Sequence, residues 1–211
     1  MSGSADRMCI LYSCCKTDTV IRLYDGQGSL KARIDNSQLE NYGSAFNYHR
    51  DFFATGSYAS DTRIYAISRV TSSQEYQKFG KVMNLAGPRS SVYDVSFDQH
   101  DRVGVVCKDH CFYLWTIDVR YQVQEDPHLL NRIDLGKEYS QLVLHPVENL
   151  AVAVAEEKAI LFNPIEKEEQ ICEIGQVVAS SVKDMKASPD GKYFAVLGND
   201  EKQVSIWKFE K

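Results

Sequence analysis

The chain has 211 residues, of which 44% are hydrophobic and 25% are charged, and its formal net charge is -5. This composition is typical of a globular protein with a buried core. The acidic balance argues against binding to a phosphate backbone, so nucleic acid is not an expected partner. No window holds the ~18 apolar residues of a membrane-spanning helix, and residues 1–7 lack the apolar region of a signal peptide.

A short apolar strand, a polar turn and a second strand that ends in an aromatic residue recur five times along the chain. The predicted hairpins lie near residues 8–25, 52–66, 103–117, 151–163 and 193–209. Their closing aromatic residues are Tyr24, Tyr65, Trp115, Phe162 and Trp207, which are 41 to 50 positions apart. A recurrence of this length is typical of propeller blades.

An acidic residue stands in the turn of each hairpin. These residues are Asp18, Asp61, Asp109, Glu157 and Asp200. We expect each carboxylate to accept backbone N–H groups of its own turn and so to hold the hairpin geometry.

Two further strands are predicted for each repeat, so that a full repeat has strands a, b, c and d, of which b and c form the hairpin. Strand a is expected at 92–97 and 182–186, and the more polar strand d at 30–34, 81–85, 129–134 and 171–174. The b strands are almost continuously apolar, which indicates that neighbouring blades cover both of their faces. The prediction is an all-β propeller over residues 8–211 after a short tail, residues 1–7. It has about five blades and 18 strands, because the first blade lacks strand a and the last lacks strand d.

The six cysteines do not resemble a disulfide framework. Cys9, Cys14, Cys15, Cys107 and Cys172 fall in or beside predicted strands, so we interpret them as reduced core residues. Cys107, His110 and Cys111 have the spacing of a metal site, but they also fit a strand end, a turn and the next strand. No second ligand pair follows, so we predict no metal and no cofactor.

No set of residues predicts a catalytic site. His49, His100 and His145 fall in the turns between strands a and b, where we expect solvated side chains. Asp94, Asp98 and Asp101 are close in sequence, but alternation along a strand should scatter their carboxylates. We therefore predict no catalytic residue.

At these repeats the chain resembles the WD40 repeat proteins. The dipeptides at the position of the family's Trp-Asp pair are Leu114-Trp115 and Ile206-Trp207, with degenerate versions at Tyr24-Asp25, Tyr65-Ala66 and Phe162-Asn163. In that family a histidine before strand a joins a buried hydrogen-bonded network with the turn aspartate and the tryptophan. This histidine is missing here, so we expect packing more than polar contacts to hold the blades.

The segment Trp115-Thr116-Ile117-Asp118-Val119-Arg120-Tyr121, followed by Asp126-Pro127-His128-Leu129-Leu130, is similar to the transducin beta-like branch of the family. This resemblance implies a seven-bladed propeller behind an N-terminal membrane anchor, on the cytosolic face of the endoplasmic reticulum. It also implies a link to stress signalling, with a stress-signalling kinase as a partner. We expect the anchor and about two blades to be missing from this chain. An open arc and a strained closed ring of five blades both remain compatible with the pattern.

The two faces of a propeller are rigid surfaces of turns that suit protein docking. We predict partner binding by the turns before strand a and between strands b and c. The residues are Pro88, Arg89, Ser90, Lys108, Asp109, His110, Glu157, Lys158, Asp200 and Glu201. A non-enzymatic scaffold is the first hypothesis. A propeller enzyme or small-ligand binder that uses the central channel is the alternative.

Overall fold

β-Strands in five antiparallel sheets make up almost all of the regular structure. The computed structural model describes residues 11–13, 19–24, 27–38, 41–58, 61–68, 78–166, 171–200 and 202–209. Within these residues the single helical element is one turn of 3-10 helix, Tyr121–Val123. The predicted tail, the start of the first hairpin, the predicted turn residue Asp18 and the predicted partner-binding residue Glu201 lie outside the described residues.

The 18 strands of the described residues form three four-stranded sheets between two three-stranded sheets. Sheet 1 contains β1 (Leu11–Ser13), β2 (Val20–Tyr24) and β3 (Leu30–Asp35). Sheet 2 contains β4 (Asn41–Phe46), β5 (Phe52–Ser57), β6 (Thr62–Ser68) and β7 (Lys78–Leu85). Sheet 3 contains β8 (Val92–Phe97), β9 (Arg102–Cys107), β10 (Cys111–Thr116) and β11 (His128–Asp134). Sheet 4 contains β12 (Gln141–Leu144), β13 (Ala151–Ala155), β14 (Lys158–Phe162) and β15 (Cys172–Gln176), and sheet 5 contains β16 (Val182–Ala187), β17 (Tyr193–Gly198) and β18 (Val204–Lys208).

This arrangement confirms the predicted fold class, an all-β partial WD40-type propeller. Each sheet pairs its strands antiparallel in chain order. Among the described residues, sheet 1 has no counterpart of strand a and sheet 5 has no counterpart of strand d, as expected. The innermost strands β4, β8, β12 and β16 lie beside one another in that order, so sheets 2 to 5 are arranged as consecutive blades.

In sheets 2 to 4 the b strand is buried on both faces. In β9 every residue from Val103 to Cys107 is buried, and in β13 every residue from Ala151 to Val154. A strand with one face in solvent would alternate between buried and exposed residues. The continuous burial therefore follows from the position of each sheet between two neighbours.

Four clusters of buried side chains fill the spaces between adjacent sheets. In the space between sheets 2 and 3, Trp115 stacks on Tyr113 with 5.6 Å between ring centroids. Between sheets 3 and 4, the ring of Phe112 meets that of Phe162 edge-on at 5.1 Å. Burying one large apolar side chain stabilises the fold by about 1.5 to 3 kcal/mol. The aromatic ends of the c strands are thus main contributors to the contacts between blades.

The innermost strands β4 and β8 approach each other closely at Gly43. A Cβ atom at this position would lie 2.6 Å from the Cα atom of Asp94, which is closer than a backbone contact allows. Both strands carry a β-bulge here, between Asn41 and Gly43 in β4 and between Val92 and Asp94 in β8. A glycine at position 43 therefore lets the two inner strands come together.

We predict that Gly43→Ala destabilises the fold by about 1 to 3 kcal/mol, because the added methyl group must push β4 away from the backbone of β8. The measurement is the urea midpoint followed by circular dichroism. Gly80→Ala in β7 is the matched control, because a Cβ atom there meets no atom within 4 Å. Equal midpoints for the two variants would contradict the close approach.

Candidate partner-binding surface

The loops that join strand d to strand a lie at the same end of the sheets as the turns that join strands b and c. Backbone hydrogen bonds connect the two sets: Lys108 donates to Ser91 O at 2.9 Å, Leu135 to His110 O at 2.8 Å, and Val177 to Glu157 O at 2.8 Å. We call this surface the turn face. It comprises residues 36–38, 58, 61, 86–91, 108–110, 135–140, 156–158, 177–181, 199, 200, 202 and 203. The three backbone hydrogen bonds hold the loops of the turn face in defined positions.

The predicted partner-binding residues that the structure describes lie on the turn face but differ in exposure. Arg89, Lys108, His110, Lys158 and Asp200 are exposed; Ser90, Asp109 and Glu157 are half-buried, and Pro88 is buried. Arg89, Lys108 and His110 come from one loop and one turn that are hydrogen-bonded to each other. The structure therefore brings these three together, whereas Lys158 and Asp200 belong to the next two sheets.

Asp109 holds its own turn, as predicted, and also connects this turn to the loop that contains Ser90. Its Oδ1 atom accepts the backbone N–H of Cys111 at 3.2 Å, and its own N–H donates to the Ser90 Oγ atom at 2.7 Å. Its Oδ2 atom accepts the hydroxyl group of Tyr113 at 2.9 Å. Asp109 and Ser90 thus hold the loop, and the exposed residues beside them are the ones available for a partner.

Arg132 of β11 extends this network across sheet 3. Its Nε atom donates to the Tyr113 hydroxyl at 3.3 Å, and its guanidinium lies 5.7 Å from the centre of the Tyr113 ring. Burial raises the pKa of Tyr113 to about 12, although the hydrogen bond from Arg132 opposes this shift. The phenol therefore remains protonated and can donate to Asp109.

The closing aromatic residues of the five hairpins occupy two environments. Tyr65, Trp115 and Phe162 are at most 2% exposed, whereas Tyr24 and Trp207 are half-buried. The indole N–H of Trp207 donates to Val177 O at 3.3 Å.

The turn residues also differ among the hairpins. Asp200 accepts the backbone N–H of Lys202 at 3.3 Å, as expected, and Asp61 forms an ion pair with Arg63 at 3.6 Å. At Glu157 the backbone carbonyl accepts the N–H of Val177. The hydrogen bonds predicted for the carboxylates are thus present at Asp109 and Asp200.

Cys107 and Cys111 lie in the same apolar core between sheets 2 and 3. Among the described residues no group of three or more potential metal ligands is found. Burial raises the pKa of the Cys107 and Cys111 thiols, and Arg132 donates to the Cys111 sulfur at 2.9 Å. The His110 side chain is exposed.

The expectation that Cys172 is a core residue was wrong. Its side chain is exposed in the outer strand β15. Strand d lies at the rim of the blade, so a residue there need not be covered. Cys107 is buried as expected, and Cys9, Cys14 and Cys15 lie outside the described residues.

The turns between strands a and b, at the opposite end of the sheets, correct a second expectation. His145 is only 6% exposed rather than solvated. Its Nδ1 atom accepts the backbone N–H groups of Val147 at 3.1 Å and Glu148 at 2.8 Å, and its Nε2 atom lies 2.7 Å from Gly191 O. The imidazole thus organises its own turn and joins sheet 4 to sheet 5. His49 and His100 are exposed, as expected.

The same position in the neighbouring turns carries Asn47 and Asp98, which are 2% and 3% exposed. Asn47 accepts the N–H of Phe52 at 2.9 Å and donates to Asp101 of the next blade at 2.9 Å. Asp98 accepts the N–H groups of His100 and Arg102 at 2.8 and 3.0 Å. Sequence analysis did not single out Asn47 and Asp98 for this role. The sequence signal that could have identified these residues is a polar residue directly after each strand a.

Asp94 uses its carboxylate to join two inner strands. One oxygen accepts the N–H of Leu142 in β12 at 2.8 Å, and the other accepts the N–H of Val95 at 2.8 Å. Burial raises the pKa of Asp94 from its usual 3.8 to about 6, against the opposing effect of these hydrogen bonds and of Lys186. Asp94, Asp98 and Asp101 each have different hydrogen-bond partners.

The fold and the rigid turn face define a WD40-like propeller chain. No family model matches its sequence. The chain is 26% identical over 191 residues to transducin beta-like protein 2 of Mus musculus, and 22% identical over 188 residues to transducin beta-like protein 2 of Homo sapiens. These similarities support the WD40-like relation that the repeat motifs indicated.

Each match covers 87% of this chain but 42% of the relative. The chain therefore spans about two fifths of the length of these relatives. In the part of the chain that the structure describes, no helix is long and apolar enough to cross a membrane.

We predict that His145→Ala destabilises the fold by about 2 to 4 kcal/mol, because two part-buried N–H groups lose their acceptor and the buried contact with Gly191 O is lost. The measurement is the free energy of unfolding in urea. His49→Ala, an exposed histidine in the equivalent turn, is the control. If His145→Ala lowers the free energy of unfolding no more than His49→Ala does, the turn does not depend on the imidazole.

Asp94 predicts a pH dependence of stability. The folded chain keeps the Asp94 proton up to about pH 6, whereas the unfolded chain releases it near 3.8. The wild type should therefore lose stability as the pH rises through this window, relative to Asp94→Asn, which cannot titrate. Urea midpoints of both proteins at several pH values between about 4 and 7 test this difference. A difference that is constant across the range would contradict the raised pKa.

Proposed function

We propose that the protein is a non-enzymatic scaffold that binds partner proteins through its turn face. The observation that carries this proposal is the hydrogen-bonded pairing of the loop 86–91 with the turn 108–110. The exposed side chains of Arg89, Lys108 and His110 stand on this support. A surface whose backbone is already ordered loses little conformational entropy on binding.

The similarity to transducin beta-like protein 2 supports a finer proposal. We propose that the complete protein acts at the cytosolic face of the endoplasmic reticulum and contributes to stress signalling, with a stress-signalling kinase among its partners. This rests on the resemblance alone, because the chain covers only 42% of the relatives. Fractionation of cells that express the full-length protein tests the location.

The enzyme or small-ligand alternative has weaker support. It needs several polar side chains that converge on one point in the channel and are free to act on a ligand. Both Asp94 oxygens already accept backbone N–H groups, and Asp184 lies 3.0 Å from the Lys186 ammonium and accepts the N–H of Met185. These groups have a structural explanation, which favours the scaffold.

We predict that the double variant Arg89→Glu, Lys108→Glu loses partner proteins that the wild type retains. Reversing two exposed charges on the turn face creates like-charge repulsion with a matching partner without disturbing buried contacts. The measurement is quantitative mass spectrometry of proteins co-purified from cells, with folding checked by circular dichroism.

The control is Lys192→Glu, an exposed charge in a turn at the opposite end of the sheets. An unchanged set of partners for the double variant would count against the turn face. So would an equal loss in the control.

A further inference from the structure

Positive charge is concentrated at one part of the turn face, where the loops of sheets 2 and 3 meet. We call this part the cationic joint; it comprises residues 58, 61, 86–91 and 108–110. Its charged side chains are Arg89 and Lys108, which are both exposed, and the aspartates Asp61 and Asp109. Asp61 forms an ion pair with Arg63, and both carboxylate oxygens of Asp109 accept hydrogen bonds. The two cations are thus left to face solvent in a chain whose formal net charge is -5.

The neighbouring parts of the turn face do not share this positive charge. On the outer side of the turn 108–110, Arg132 and Asp134 of β11 carry opposite charges. Where sheets 3 and 4 meet, the loop and the turn together carry three carboxylates and two ammonium groups, from Lys137, Glu138, Glu156, Glu157 and Lys158. The charge of the turn face therefore changes from positive to negative over one blade. Such a change orients a charged partner segment.

Hydrogen bonds hold the segments of the cationic joint together. The N–H of Asp109 donates to the Ser90 Oγ atom at 2.7 Å, and the N–H of Lys108 donates to Ser91 O at 2.9 Å. On the other side of the loop, the Ser91 Oγ atom donates to Tyr58 O at 3.2 Å. The backbone that carries the exposed side chains is thus ordered before a partner binds, which reduces the entropy lost on binding.

Tyr58 adds an apolar contact surface to the cationic joint. This residue directly follows β5 and is 61% exposed. Of the large apolar side chains that are exposed in the described part of the chain, Tyr58 is the one that lies on the turn face. Tyrosine and arginine are enriched among the residues that dominate the binding energy of protein interfaces. The cationic joint therefore combines an aromatic side chain with two cations.

We infer that the cationic joint binds an acidic segment of a partner polypeptide that has an apolar side chain among its carboxylates. The carboxylates pair with Arg89 and Lys108, and the apolar side chain packs on the ring of Tyr58. This inference rests on the proposed function and names the chemistry of the partner that the turn face accepts. A nucleic acid also carries anionic groups, but the net negative charge of the chain opposes a long phosphate backbone. A short acidic segment contacts the cationic joint alone.

The test uses the full chain and a fluorescent synthetic peptide in which a Leu-Phe pair lies between blocks of Asp and Glu, measured by fluorescence anisotropy. The wild type should bind this peptide saturably, and the matched peptide with Asn and Gln in place of the acids at least about tenfold more weakly. Arg89→Glu, Lys108→Glu should also weaken binding of the acidic peptide at least about tenfold, because two attractive charges become repulsive. Raising the sodium chloride concentration from about 50 to 300 mM should weaken binding of the acidic peptide only.

Two comparisons separate recognition by the cationic joint from general charge attraction. Arg50→Glu, Lys192→Glu changes an exposed arginine and an exposed lysine in turns at the opposite end of the sheets. It alters the net charge of the chain equally but should leave the affinity within about twofold of the wild type. Tyr58→Ala should weaken binding about threefold, and this loss should vanish for an acidic peptide with a Ser-Ser pair in place of Leu-Phe. Because all of these side chains are exposed, each variant should keep the wild-type circular dichroism spectrum and urea midpoint.

Several results would overturn the inference. They are the absence of saturable binding to the wild type, equal binding of the Asn and Gln peptide, and an equal loss of affinity in the two double variants. Equal or tighter binding of a single-stranded oligonucleotide with the same number of negative charges would also overturn it, since the joint would then accept any polyanion.

Failure of this inference is distinguishable from failure of the proposed function. Partner proteins that Arg89→Glu, Lys108→Glu loses in cells, but that an excess of the acidic peptide does not release from the wild type, would support the turn face and overturn the acidic partner. An unchanged set of partners, together with the expected peptide binding, would instead count against the proposed function and support the peptide site.

Discussion

Sheets 2 to 4 bury both of their faces against neighbouring sheets, and most of the fold follows from that constraint. It explains the unbroken burial of β9 and β13 and the position of Trp115 and Phe162 between blades. It also explains why Gly43 lies where two inner strands meet. Where the row of described sheets ends, at β18, the same kind of face is exposed.

Polar contacts supplement this packing at both ends of the sheets. The family histidine before strand a is absent, and in sheet 3 the turn residue Asp109 instead accepts the hydroxyl group of Tyr113, which Arg132 contacts in turn. At the opposite end, Asn47 and His145 each make a hydrogen bond to the next blade. Buried hydrogen bonds between blades thus accompany the apolar cores more than the missing histidine led us to expect.

The turn face is the surface that we propose for binding partner proteins. The turn face presents charged side chains from loops that are hydrogen-bonded to each other, so a partner can recognise it by charge.

The sequence by itself determined the repeat and its hairpins, because apolar strands and polar turns are local patterns that recur at a regular interval. It also placed Asp109 in a turn with backbone partners. Only the tertiary structure decided which polar residues are buried. His145 looked like a solvated turn residue, and Asp94 had no assigned partner. The backbone groups that they bind, near Gly191 and at Leu142, belong to positions 46 and 48 residues further along the chain. Such contacts depend on how adjacent blades are placed against each other, which no local pattern of residues records.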